Sequence, residues 1–167
     1  DILFAQQDYA GALAAYEKVN ASNLASPATF FSAAKTKELM KSDPKEVLTL
    51  MDSCIARCPQ PITAELAPYL LERAQMRLNA GQGRGAMLDY DEYYKAVRGN
   101  VNDVFYYYRE QAAVQAKQFQ RALDDLAKAI EKYEKKKHSL LSAPYSYHGC
   151  SDGLRLYAGR KGRDEAL

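Results

Sequence analysis

The sequence predicts an all-α fold built as an array of antiparallel helix pairs, and two observations predict it. Four segments repeat in register: QDYAGALAAYEKV (7–19), SDPKEVLTLMDSC (42–54), GQGRGAMLDYDEY (81–93) and KQFQRALDDLAKA (117–129). Each holds a small or β-branched residue at its sixth position, namely Ala12, Val47, Ala86 and Ala122. Four residues later comes a large side chain (Tyr16, Met51, Tyr90, Leu126), and three after that Val19, Cys54, Tyr93 or Ala129. Offsets of four and seven share one face of a helix. The second observation is that strand signals are missing, with no sustained alternation and no Asn-Gly hairpin.

Taken in order, residues 2–7 read as the end of a first helix, followed by a helix over 9–20. Ser26-Pro27 is an N-cap with proline in the first turn, which opens a helix over 26–41. Asp43-Pro44-Lys45-Glu46 starts the next, over 43–57, with Asp43 capping and Glu46 placed to complete a capping box. Pro59 and Pro61 end that helix and open the segment leading to 64–80. Gly81 and Gly83 mark the tight turn before 84–98, and helices over 101–117 and 119–137 follow. The segment after residue 137 is rich in Ser, Gly and Pro. It reads as a loop to about residue 143, an irregular helix near 144–160 and the start of another helix at 163–167. In that last stretch KGRDEAL sets Ala166 at the small-residue position.

Anchor to anchor, the spacings are 35, 39, 36 and 44 residues. A unit of about 34 residues with small loop insertions accounts for the first three. Four such units in register resemble the tetratricopeptide repeat, carried by Gln7-Asp8-Tyr9 through Ala12 and Tyr16, then by Cys54 with Pro59. Gly81 through Ala86, Tyr90 and Tyr93 carry it onward, followed by Phe119, Ala122 and Ala129. The family's glycine is replaced at Gln7, Ser42 and Lys117.

The resemblance implies a right-handed superhelical array, an α-solenoid, of about four repeats plus a truncated or degenerate fifth. It implies one domain over 1–167, a piece of a longer array, with units near 1–25, 26–61, 62–100 and 101–137 and an irregular 138–167. Small side chains at Ala12, Ala86 and Ala122 would let helix axes approach closely. Such arrays bind a protein or peptide in a concave groove lined by the first helix of each pair. Helical spacing then selects Thr29, Ser32, Thr36 and Leu39 in the second unit, Leu71, Gln75 and Leu78 in the third, and Tyr107, Gln111 and Val114 in the fourth. The chaperone-binding members clamp a carboxylate with lysines and asparagines. Here Leu71, Gln75, Tyr107 and Gln111 stand in those places, so an extended or helical peptide held by aromatic and amide contacts is expected instead. Tyr106 is expected in the slot between helices, and Tyr107 facing the groove. Arg73 and Arg109 recur beside Glu72 and Glu110 and read as inter-helix salt bridges.

Composition narrows the function classes. The 167 residues are 47% hydrophobic and 26% charged, an ordinary globular balance. A net charge of +2 points to neither nucleic acid nor an anionic membrane. The basic run Lys135-Lys136-Lys137-His138 reads as the solvated end of a helix, where cations suit the macrodipole. No apolar run approaches the roughly 20 residues that cross a bilayer. Asp1-Ile2-Leu3-Phe4 carries no targeting signal, which leaves both a cytoplasmic and an exported location open. Three cysteines argue against a disulfide framework.

No catalytic constellation stands out, and neither an enzyme nor a cofactor is expected. Cys54 and Cys58, spaced i, i+4, with His148 and Cys150 are types that ligate zinc, but Cys54 occupies an apolar repeat position. Gly81-Gln82-Gly83-Arg84-Gly85 lacks the Lys-Ser/Thr ending and the preceding strand of a phosphate loop. Asp89-Tyr90-Asp91-Glu92 reads as a solvated helix face. Two alternatives to a peptide-binding scaffold stay open. Exposed repeat ends at residues 1 and 167 offer a route to homodimers. RNA binding would demand a basic groove, which Leu71, Gln75 and Gln111 do not provide.

Overall fold

A computed structural model of the chain describes residues 2–142, with side chains as far as residue 139. Every element among the described residues is an α-helix: α1 (Ile2–Ala5), α2 (Tyr9–Asn20), α3 (Pro27–Leu39), α4 (Pro44–Ala56), α5 (Ala67–Asn79), α6 (Gly83–Ala96), α7 (Asp103–Gln115) and α8 (Phe119–Ser142). Each helix from α1 to α7 packs on the one that follows it or precedes it, and α5 also touches α7. The pairs α1/α2, α3/α4 and α5/α6, followed by α7, therefore stack in chain order as an α-solenoid, and Arg109 on α7 bonds Asp125 on α8. Contacts divide the chain into two units, Asp1–Tyr133 and Glu134–Leu167, and helices α1 to α7 belong to the first. No helix among the described residues is long and apolar enough to cross a membrane.

The repeat positions form the core. Ala12, Val47, Ala86 and Ala122 are all buried, as are Met51 and Tyr90 four residues after two of them. Alanines on the first helices, Ala33, Ala34, Ala74, Ala112 and Ala113, are fully buried opposite them. Small side chains on both partners bring the backbones together. At Gly83 the approach leaves no room for a side chain, because a Cβ there would lie 2.8 Å from the Ala112 carbonyl oxygen. Between α6 and α7 the gap is filled by rings. Phe105 stacks on Tyr93 at 5.5 Å and Tyr94 at 6.0 Å, and meets Tyr90 and Tyr106 edge-on.

Caps set most of the helix starts. Asp8 accepts from the Gly11 amide and Asn102 from the Phe105 amide, both at 2.9 Å. Ser26 and Thr29 form a reciprocal capping box. At α4 the expected box does not form: Asp43 accepts from the Lys45 amide, while Glu46 turns to the Lys37 ammonium 2.7 Å away. Helix α5 starts at Ala67 rather than 64, since Thr63–Leu66 closes a turn and Pro68 sits in the first helical turn. The turn within each pair holds one residue in the left-handed region: Gln7, Lys41, Gly81 and Lys117, with φ of 62°, 55°, 74° and 60°. In the second unit that residue is Lys41 and not Ser42, because its turn runs one residue longer before the next helix.

Two further expectations are corrected. Helix α8 continues to Ser142 instead of giving way to a loop after 137, so the exposed Lys135-Lys136-Lys137-His138 run lies within a helix. The Asp89-Tyr90-Asp91-Glu92 segment is not a solvated face, because Asp89 and Tyr90 are buried and Asp91 is partly so. The expected helix near 144–160 and the anchor at Ala166 lie outside the described residues.

Candidate functional site

The first helices α3, α5 and α7 form one layer. Phe31 on α3 meets Tyr69 on α5 at 5.0 Å between ring centroids, and Lys35 pairs with Glu72 at 3.2 Å. The residues selected from sequence divide sharply within this layer. On α3, Thr29 is committed to the capping box and its hydroxyl also donates to Asn20 Oδ1 at 2.6 Å. Ser32 is half-buried and Leu39 exposed. Thr36 is fully buried, its hydroxyl donating to the Ser32 carbonyl at 2.7 Å, so its side chain faces the packed interior rather than solvent. Leu78 on α5 is likewise 4% exposed and belongs to the largest apolar cluster. Both are displaced from the expected solvent-facing set because neighbouring helices cover their side of the helix.

The remaining residues gather around α5 and α7. Leu71 and Gln75 line a cleft of about 490 Å3 together with Tyr93, Val104, Phe105 and Tyr108. Asn100 and Asn102 contribute amides at its loop side. Gln75 is held from both ends. Its amide nitrogen donates to Asn79 Oδ1, and its oxygen accepts from the Tyr90 hydroxyl, each at 3.4 Å. Burial pushes the Tyr90 hydroxyl pKa up, which keeps it a donor. Tyr107 lies beside the cleft, its ring edge-on to Tyr108 at 5.4 Å, and is 51% exposed. Gln111 is half-buried and Val114 exposed on the same line of α7.

Tyr108, Tyr93 and Val104 were not selected from sequence. A signal existed for Val104, which stands with Tyr107, Gln111 and Val114 at i, i+3, i+7 and i+10, a single helical line. Tyr93 was assigned to helix packing, and it serves both purposes because the cleft opens over the α6–α7 contact.

The cleft is close to neutral: Glu72 is its one charged lining residue, and Lys35 neutralises it. Arg73 and Arg109 are turned away into the helix contacts. Arg73 donates to Asp89 at 2.7 and 3.1 Å and to Asp52 at 3.0 Å. Arg109 donates to Asp125 at 2.5 and 2.7 Å and lies 3.5 Å from Asp91. The inter-helix salt bridges expected of these arginines are present, and their partners are aspartates on the second helices. Burial alone would weaken the hold of Arg109 on its proton. The hydrogen bond and charge of Asp125, then Asp91, more than offset that and raise its pKa. Asp89 shows the opposite balance, as burial pushes its carboxyl up against the pull of Arg73 and Arg77.

Cys54 and Cys58 sit together in the core, with the Cys58 thiol donating to the Cys54 carbonyl at 3.5 Å. Burial pushes the Cys54 thiol up to about 12. Among the described residues no three His, Cys, Asp or Glu side chains are grouped to hold a metal ion. His148 and Cys150 lie outside those residues.

No family model matches the sequence, and no curated protein matches it. Among solved structures, the crystal structure of MamA protein is similar at 16% identity, over 90% of this chain and 93% of that one, with a TM-score of 0.42.

Proposed function

We propose that this chain is a protein-binding scaffold of the tetratricopeptide type, which holds a peptide or protein segment along its first helices and performs no catalysis. One observation supports this most directly. Val104, Tyr107 and Val114 form an exposed line on α7 beside a near-neutral cleft bearing Leu71, Gln75, Tyr93 and Tyr108. Exposed aromatic and apolar side chains next to positioned amides suit the burial of a neutral segment, with the amides bonding its backbone. Tyrosine supplies such contact area at low entropic cost. The same neutrality disfavours RNA, whose phosphates need a track of cations. Within this reading the groove is the concave face expected of such arrays, with Leu71, Gln75, Tyr107, Gln111 and Val114 as its working residues.

The test is affinity capture from the native source followed by titration of the recovered partner, comparing the unmodified chain with Tyr107→Ala/Gln111→Ala. Both positions are solvent-accessible, so the variant is expected to fold, and circular dichroism checks that. A partner that binds the unmodified chain and loses at least about tenfold in affinity to the variant supports the groove. A partner bound equally by both removes it.

A further inference from the structure

We propose that the segment held in the cleft between α5 and α7 is rich in proline and lies there as a polyproline II helix. This rests on the scaffold reading above and names the occupant of that site. Hydrogen-bond supply selects it. Three amide side chains line the cleft, and two of them have their oxygens engaged. Asn102 Oδ1 accepts from the Phe105 amide at 2.9 Å, and Gln75 Oε1 accepts from the Tyr90 hydroxyl at 3.4 Å. The nitrogens are less occupied. That of Asn102 makes no bond among the described residues, and Gln75 spends one N–H on Asn79 and keeps the other. The hydroxyls of Tyr93 and Tyr108 add two more groups able to donate.

Acceptors are scarcer. The carboxylate of Glu72 is paired with Lys35, and Asn100, exposed in the α6–α7 loop, is the amide left to offer an oxygen. An ordinary peptide brings one N–H for every carbonyl. Laid in this cleft, its donors would leave water for a wall whose oxygens are largely taken, which costs more than the matching carbonyl bonds return. Proline has the carbonyl and lacks the N–H. A proline-rich segment therefore uses the donors of the cleft and leaves none of its own unmet.

The apolar lining agrees with this choice. Tyr93 and Phe105 stack at 5.5 Å, and the Tyr108 ring stands at 62° to that of Tyr107 beside the cleft. Rings at differing angles offer both faces and edges to pyrrolidine rings. Polyproline II has about three residues per turn, so every third ring comes to the same side. The conformation exists before binding, and little freedom is lost on docking. Near-neutral surroundings suit a segment without charged side chains.

Fluorescein-labelled decaproline, set against an uncharged decamer of alternating alanine and serine, tests the assignment on the full chain by fluorescence anisotropy. Decaproline should bind at least about tenfold more tightly than the control. Asn102→Asp keeps the capping oxygen and removes the N–H, and should weaken decaproline binding at least about tenfold. Tyr108→Ala should do the same, with circular dichroism reporting whether each variant is folded. Equal binding of the two peptides, no binding of decaproline, or binding that both folded variants retain would overturn the proposal. A native partner that depends on Tyr107 and Gln111, in a chain that ignores decaproline, would remove this occupant and leave the scaffold reading in place.

Discussion

Arg109 grips both carboxylate oxygens of Asp125, at 2.7 and 2.5 Å, with each side chain buried between α7 and α8. Thirty-six residues earlier Arg73 holds Asp89 in the same two-pronged way. The guanidinium of Arg109 also lies over the rings of Phe105, Tyr94 and Tyr106, 5.1 to 5.4 Å from their centroids. A fork matched to a carboxylate and stacked on aromatic rings is a use of arginine that lysine cannot copy. Asp125→Ala strands that charge in the interior and should cost about 3–5 kcal/mol, read by chemical denaturation. Arg109→Met/Asp125→Leu, which removes both charges, should recover most of the loss. A single variant within about 0.5 kcal/mol of the unmodified chain would mean that water reaches the pair.

Ala86 is fully buried where α6 packs in the largest apolar cluster. Ala86→Leu should overpack that contact and cost about 1–3 kcal/mol. A melting curve that does not move would contradict the close approach of these helices.

The left-handed residues supply a prediction of opposite sign. Lys41 and Lys117 carry side chains at φ of 55° and 60°, where glycine is free of the Cβ clash. Lys41→Gly and Lys117→Gly should each gain up to about 1 kcal/mol, and Gly81→Ala should lose about 1 kcal/mol. Loss of stability in both lysine variants would show that their side chains do more than occupy the turn.

Cys54 should resist thiol reagents. Burial holds its thiol near 12, so at pH 8 almost no nucleophilic thiolate forms and reagent cannot reach the sulfur. In a Cys150→Ser background, Ellman's reagent should label neither Cys54 nor Cys58 until the chain unfolds. The folded pKa lies above the ordinary 9.0 of a free thiol. This group therefore favours the folded chain fully below pH 9, and that advantage drains away as pH rises toward 12. Cys54→Ala should accordingly flatten the fall in melting temperature above pH 9. Rapid labelling of the native protein at neutral pH would refute the burial.

What the sequence discloses here is what a single helix discloses. Ala12, Val47, Ala86 and Ala122 could be found because their period is written along one chain segment, and all four are buried. The acceptors of Arg73 and Arg109 could not, because Asp89 and Asp125 sit on other helices 16 residues away. Thr36 and Leu78 were drawn by spacing onto an outward face, yet which side of a helix is outward is decided by the helices around it. The turn at Lys41 escaped for a different reason. One additional residue shifts the left-handed position without disturbing the helical period on either side. The cleft itself is assembled from α5, α7, Tyr93 of α6 and the α6–α7 loop, and of its lining only Leu71 and Gln75 are selected as groove residues by helical spacing.

Arg73 and Arg109 each touch aspartates of two successive pairs, Asp52 with Asp89 and Asp91 with Asp125. An array of this kind melts as a row of coupled units, and the coupling lives in the seams. Between the first and second pairs Thr29 hydrogen-bonds Asn20, and among the described residues no arginine bridges that seam. Amide hydrogen exchange should thus divide the chain unevenly. Protection should rise together across α4 to α7, as a single cooperative block, while α1 and α2 open and close as a foldon of their own.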